Sequence, residues 1–196
     1  TPSGESLLRQ TLYAQRYFRK KFGKIATVGY NVDTFGHNAM TPQLLRLSGM
    51  TDYVWMRPSV KENGKIPEGP MIWEAPDGSR VQAYRIFGEY TTAHDMPGKI
   101  EKVLEFEKRI QKPVLCFYGV GNHGGGPTIE NLREIRKYRQ EHDRALPYGT
   151  PMDYFRLLRE EKLELPVWKN ELQHHASGCY STHSVSKHLH RETENA

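Results

Sequence analysis

The chain has 196 residues and a formal net charge of +5, from 28 Lys and Arg against 23 Asp and Glu. Hydrophobic residues make up 37% and charged residues 26%, and recurring Tyr, Phe, Trp, Leu, Ile and Val exclude a disordered chain. The basic residues are scattered among acidic ones, which reads as a solvated surface and not a nucleic-acid footprint. No apolar run approaches the roughly 20 residues of a membrane span. Cys116, in the apolar run PVLCFY, and Cys179 read as unlinked thiols. That fits a reducing, cytoplasmic setting better than a disulfide scaffold. The first residue is Thr, so processing or truncation stays open.

In chain order, residues 3 to 22 predict a helix, capped by Ser3, striped by Leu7, Leu8, Leu12, Tyr13, Tyr17 and Phe18, and ended by Gly23. IATVGYNV is apolar on both alternation phases and predicts a buried strand. TPQLLRLSG predicts a short helix with Pro42 in its first turn and Gly49 past its end. DYVWMRP predicts a short strand stopped by Pro58. MIWEAPDGSRVQAYRI reads as a hairpin turning at PDG. Residues 97 to 110 predict a second strong helix, and PVLCFYGVG a buried strand. PTIENLREIRKYRQEH and PMDYFRLLREE predict helices, with LPYGT between them as a short strand. LPVWKNELQHH is extended again. This order predicts an α/β domain, with a mostly parallel sheet or an irregular β/α barrel, flanking helices and one β-hairpin insertion. Ligands in such sheets gather beyond the carboxyl ends of the strands, where Asp33, Arg57 and the 119–126 glycine loop fall.

Asp33 is the leading candidate for chemistry. A strand-end Asp is either a turn-former or helix cap, or a carboxylate held rigidly enough to attack a carbon or bind a metal. Phe35 and His37 beside it would add a ring wall and a hydrogen-bonding group. Arg57 ends the apolar strand VWMR. It either snorkels from the sheet or fixes a guanidinium that orients a carboxylate or a sugar hydroxyl.

GVGNHGGGPT matches G-x-G-x-x-G at Gly119, Gly121 and Gly124, a pattern that invites a dinucleotide. The reading is weakened by Gly125, Gly126 and Pro127, which lengthen the loop. The following segment also lacks an acidic residue placed for a ribose. Five of the nine histidines lie at 174, 175, 183, 188 and 190. They lack standard zinc-ligand spacing and read better as a polar, solvated segment.

Taken together, PSGESLLRQTLYAQRYFRKKFG, VGYNVDTFGHNAMTPQLLRLSG, YVWMRP, WEAPDGSRVQAYRI, YGVGNHGGGPT and GCYSTHSVSKHLHR resemble glycoside hydrolase family 38, the α-mannosidases. They run in family order over nearly the whole chain. PDGSRV and GGGPT resemble the bacterial and cytosolic-type branch. The resemblance implies that residues 1–196 are part of the family's N-terminal catalytic domain, incomplete at both ends. It implies that Asp33 is both nucleophile and zinc ligand in a retaining hydrolysis of terminal α-linked mannose. It further implies that Arg57 holds that carboxylate ionised and oriented, with Phe35, His37 and Arg57 contacting substrate.

The same resemblance implies one Zn2+ on four protein ligands, of which only Asp33 lies here. The others are expected elsewhere, so these residues alone are expected to bind zinc weakly and turn over little. The general acid/base is not assigned. Some relatives carry an Asp in the glycine loop where this chain has Asn122 and His123. An amide cannot shuttle a proton, while an imidazole of ordinary pKa near 6.5 can. The expected partners are an α-mannoside and the remainder of the catalytic polypeptide, with no nucleic acid and no membrane. A homo-oligomer is compatible with the sequence. Two other readings stay open: a dinucleotide-binding oxidoreductase domain built on the 119–126 loop, and a non-catalytic carbohydrate-binding domain stacking sugars on Trp55, Trp73 and Trp168.

Overall fold

A computed structural model describes residues 2–92, 94–121, 124–174 and 183–196 of the chain. Helix α1 (Gly4–Phe22) starts where the Ser3 hydroxyl accepts from the Ser6 N–H, and stops at Gly23, whose φ of 68° suits a residue without a Cβ. Its apolar stripe is not buried within this chain. Leu12, Tyr13, Tyr17, Phe18 and Phe22 are exposed, and the rings of Tyr17, Phe18 and Phe22 cluster at 6.0 to 6.5 Å.

The strands β1 (Val28–Asn31), β2 (Asp52–Trp55), β3 (Gly69–Glu74), β4 (Arg80–Arg85) and β5 (Val167–Trp168) form one sheet in the order β1-β2-β4-β3-β5. All its pairings are parallel except that between β3 and β4. The α/β, mostly parallel class therefore holds. Of its two expected forms, the described strands make the open sheet, with β1 and β5 at opposite edges. The β3–β4 hairpin turns through Ala75 to Ser79, where Gly78 takes φ 85°. It is not an insertion. β4 pairs with β2, so the hairpin lies inside the sheet. Both its strands are rich in side chains that the core takes up.

β2 explains why both faces of the sheet must be covered. Its alternating side chains go to two different cores. Tyr53 and Trp55 join Ile66, Met71, Trp73, Val81, Ala83 and Leu172 on one face. Val54 joins Met56, Tyr84, Ile86, Tyr154, Phe155 and Leu158 on the other. Tyr154, Phe155 and Leu158 come from α5 (Pro151–Glu160). A third cluster joins α3 (Met96–Ile110) to α4 (Ile129–Glu141) through Met96, Ile100, Ile135 and Tyr138. Helix α2 (Thr41–Leu47) links β1 to β2, with Pro42 in its first turn. Among the described residues, no helix is long and apolar enough to cross a membrane.

Two strand expectations are corrected. Residues 113–118 form no strand. The Tyr84 hydroxyl donates to the Leu115 carbonyl at 3.2 Å and accepts from the Leu115 N–H at 3.0 Å. The Tyr154 hydroxyl donates to the Pro113 carbonyl at 2.8 Å. Tyrosine hydroxyls thus satisfy backbone groups that a neighbouring strand would otherwise take. LPYGT is not a strand either. Its last residue, Thr150, is the cap of α5, with reciprocal bonds between Thr150 and Asp153. The histidine-rich end contains a helix, α6 (Ser184–Asn195), started by the His183 side chain accepting from the Ser186 N–H.

Candidate active site

The parallel register of β1 and β2 builds the site. Val28 pairs with Asp52 and Asn31 with Trp55. Continued two residues beyond both strand ends, the same offset sets Asp33 beside Arg57. The Arg57 N–H donates to the Val32 carbonyl at 3.2 Å, carrying the contact between the chains past the ladder. The side chains then meet as an ion pair, Arg57 Nε to Asp33 Oδ1 at 3.2 Å. The carboxylate is 48% exposed and the guanidinium 35%, so both can reach a ligand. The Arg57 guanidinium also lies over the Phe35 ring, 5.3 Å from its centroid. Asp33, Phe35 and Arg57 therefore form one open surface at the carboxyl end of the sheet.

His37 is placed differently from a group that reaches a ligand. It is 6% exposed, ringed by Tyr53, Trp55 and Trp73 at 5.5 to 6.2 Å. Its Nε2 lies 3.0 Å from the Arg57 carbonyl oxygen and its Nδ1 2.7 Å from the Tyr53 hydroxyl. A carbonyl can only accept, so Nε2 carries the proton and Nδ1 accepts from Tyr53. Burial holds the imidazole neutral, lowering its pKa from 6.5 to about 4 against the opposing pull of the Arg57 carbonyl. The His37 backbone exchanges both its hydrogen bonds with Leu172, at 2.8 and 3.1 Å. One residue thus ties together the Asp33 turn, the end of β2 and the 172 segment. Gly36 makes the turn geometrically open to it with φ 146°, a conformation side chains rarely adopt.

A further carboxylate, not marked by any motif, sits close by. Glu62 accepts from the Ser59 N–H at 2.6 Å, and its Oε1 lies 3.5 Å from His174 Nε2. Burial works to raise this carboxyl, but the Ser59 hydrogen bonds and the His174 and Arg57 charges outweigh it and hold it below its ordinary value. The positive Arg57 side chain thus lies within electrostatic reach of two carboxylates. Asn122, His123 and His175, named from the sequence, lie outside the described residues.

Residues 1–171 match the glycosyl hydrolases family 38 N-terminal domain. The chain belongs to glycosyl hydrolase family 38. It is 33% identical over 202 residues to alpha-mannosidase G of Dictyostelium discoideum, covering 98% of this chain and 18% of that protein. It is 33% identical over 210 residues to the alpha-mannosidase of Saccharomyces cerevisiae, covering 98% and 19%. It is 31% identical over 203 residues to human alpha-mannosidase 2C1, again covering 98% and 19%. The chain thus spans under a fifth of the length of these relatives. The crystal structure of an alpha-mannosidase from Enterococcus faecalis V583 superposes with a TM-score of 0.63 at 20% identity, over 87% of this chain and 20% of that one.

Within this family 38 domain, the fit to a zinc ion can be tested on the donors present. Asp33 is the carboxylate at the site, and its near neighbour is the Arg57 cation. Among the described residues, no three His, Cys, Asp or Glu side chains converge to hold a metal. One carboxylate facing a guanidinium does not make the three or four donors of a zinc site. The described residues therefore do not fit the ion by themselves. His188 and His190 lie on α6, opposite Glu192 and Glu194, as the solvated reading of that segment expects, whereas His174 is only 8% exposed and departs from it.

The glycine loop does not offer a phosphate cradle in its described part. The Val120 N–H donates to the Gly126 carbonyl, closing the loop on itself, and the Thr92 N–H donates to the Gly119 carbonyl. The start of α4 is already capped by Thr128 and Asn131 in a reciprocal pair. Nor can Trp55 and Trp73 act as exposed stacking platforms, since both are 0% exposed core side chains. Trp168 donates its indole N–H to the Glu171 carbonyl.

Proposed function

We propose that this chain is the nucleophile-bearing part of a retaining α-mannosidase acting on terminal α-linked mannose of oligosaccharides or mannosyl compounds. The observation that carries the reading is the half-exposed Asp33–Arg57 pair, set side by side at the carboxyl ends of two adjacent parallel strands. A carboxylate that must attack a sugar carbon has to be ionised, aimed and reachable. The guanidinium holds the carboxylate by an ion pair at 3.2 Å, and the strand ends fix the direction. The exposure leaves an oxygen free.

In the first step an Asp33 oxygen forms a bond to the anomeric carbon while the bond to the leaving-group oxygen breaks. That oxygen takes up a proton from a general acid. In the second step water attacks the same carbon, loses a proton to the conjugate base, and releases mannose with retained configuration and a free Asp33 carboxylate. The general acid/base is proposed to lie around Asn122 and His123. Phe35 and Arg57 would line the sugar's position. His37, whose two ring nitrogens are both occupied by the protein, would support Arg57 instead of touching the sugar.

Asp33 would also bind zinc, with the remaining donors supplied by other parts of the polypeptide. That polypeptide would pack against the uncovered apolar stripe of α1, which the partial span of the relatives supports. A cytoplasmic enzyme is consistent with the free thiol of Cys116.

The test uses the full-length protein, an aryl α-mannoside and proton NMR of the first-formed sugar. The α anomer is expected, and Asp33→Asn is expected to lower kcat about 10^4-fold, about 5 kcal/mol of transition-state stabilisation. A β first product, or turnover that survives the substitution, overturns the proposal.

A further inference from the structure

Among the described residues, Arg85 is the largest buried charged side chain that the site does not use. It is 1% exposed at the end of β4, and every hydrogen bond its guanidinium makes to the 58–66 turn goes to a backbone carbonyl. Nε and Nη2 donate to the Pro58 oxygen at 3.0 and 2.6 Å. Nη1 donates to the Ile66 oxygen at 2.7 Å, and Nη2 also donates to the Asn63 oxygen at 2.9 Å. The Trp55 ring lies beneath it, 5.1 Å from centroid to guanidinium carbon. Burial lowers its pKa from 12.5 to about 10, with Glu68 and Glu62 opposing, so it stays charged at neutral pH.

A buried cation spent on neutral carbonyls is a costly way to hold a loop, unless the loop's position matters. The gripped loop begins at Pro58, joined to Arg57 by a cis peptide bond. The next carbonyl back, that of Arg57, is held by His37 from the other side. The two consecutive carbonyls at the root of Arg57 are therefore fixed by two buried donors on different elements. The Arg57 side chain projects from that clamped point toward Asp33.

We infer that Arg85 is a positioning residue for the hydrolytic reaction, acting through the clamped Pro58 carbonyl to aim the Arg57 guanidinium at Asp33. The inference rests on the functional reading above. It adds that β4, a strand carrying none of the sequence-predicted site residues, controls the geometry of the nucleophile. Lysine at position 85 keeps the charge but lacks the fork that holds three carbonyls at once. Misplacement by about 1 Å at a reacting centre can cost about 100-fold in rate.

The test is a double-variant cycle in the full-length protein, read with an aryl α-mannoside alongside thermal unfolding to confirm folded protein. Arg85→Lys is expected to lower kcat about 10- to 100-fold with KM changed less than about 3-fold. Arg57→Ala is expected to lower kcat as well. The variant carrying both changes is expected to be no slower than Arg57→Ala alone, because Arg85 has nothing left to aim. A residue that merely holds the fold would give multiplying losses in the combined variant, and that result overturns the inference. So does an unchanged kcat in Arg85→Lys.

Should Arg85→Lys fail to fold, Arg85→Gln, which keeps an amide donor for the carbonyls but loses the fork and the charge, is put through the same cycle. A loss seen with Arg57 present and absent in the Arg57→Ala background supports the clamp. No loss, or the same loss in both backgrounds, overturns it. A wild-type protein inactive on every α-mannoside tried would instead overturn the functional reading, and this inference with it.

Discussion

His37 should make the protein's stability depend on pH in a way that one substitution removes. The ring is buried and neutral, with its pKa lowered from 6.5 to about 4. The unfolded chain, with an ordinary imidazole, therefore takes up this proton at a higher pH than the folded one. The contribution is fully present above pH 6.5 and is lost as the pH falls from 6.5 through about 4. At about 1.4 kcal/mol per pH unit over that window, the loss amounts to about 3 kcal/mol. A protonated ring would also have to give up the Tyr53 hydroxyl as a donor at Nδ1, since both nitrogens would then carry protons. Urea unfolding from pH 7.5 to pH 4 measures this. His37→Gln keeps one donor and one acceptor but does not titrate. It should lower stability at pH 7.5 by about 1–3 kcal/mol through poorer packing and geometry, while flattening the acid slope by about 3 kcal/mol relative to wild type. Equal slopes in the two proteins would refute the buried, neutral imidazole.

Other perturbations probe separate parts of the account. Arg159→Ala removes the partner of Asp52, a carboxylate that is 1% exposed and held at 2.6 Å. It should cost about 2–4 kcal/mol in denaturant unfolding, far more than an exposed pair such as Arg9 with Glu5 is worth. Gly36→Ala forces a side chain into φ 146° in the turn between Asp33 and His37. It should cost about 1–3 kcal/mol of stability and lower kcat by displacing Asp33. For zinc, the 196 residues alone should hold less than one ion per chain after dialysis, measured by elemental analysis. Stoichiometric zinc would show that these residues supply a full ligand set.

The local parts of the fold were legible because local chemistry decides them. Ser3 and Gly23 bracket α1, Pro42 starts α2, and the PDG turn closes the hairpin where expected. What no local signal carries is which strands become neighbours. Asp33 and Arg57 could each be read as strand-end groups, but only the 24-residue offset of the β1–β2 register, Val28 to Asp52, sets them side by side. The apolar run 113–118 looked like a strand because apolarity reports burial and not the source of backbone partners. Here the partners include two tyrosine hydroxyls contributed from β4 and α5. His37 looked like a ligand-facing group because spacing placed it near Asp33. The Gly36 turn rotates it into the core instead. Arg85 and Glu62 left no sequence signal, since a charged residue in a strand or a loop is ordinarily solvated.

Trapping the covalent intermediate addresses the nucleophile itself. The full-length protein, incubated with a fluorinated mannosyl fluoride that forms the glycosyl-enzyme faster than it releases it, can be digested and sequenced by mass spectrometry. A single added fluoromannosyl group on Asp33, lost from the Asp33→Asn variant, is the predicted result. The same sugar on another carboxylate, in an enzyme that turns over mannosides normally, would contradict the central claim.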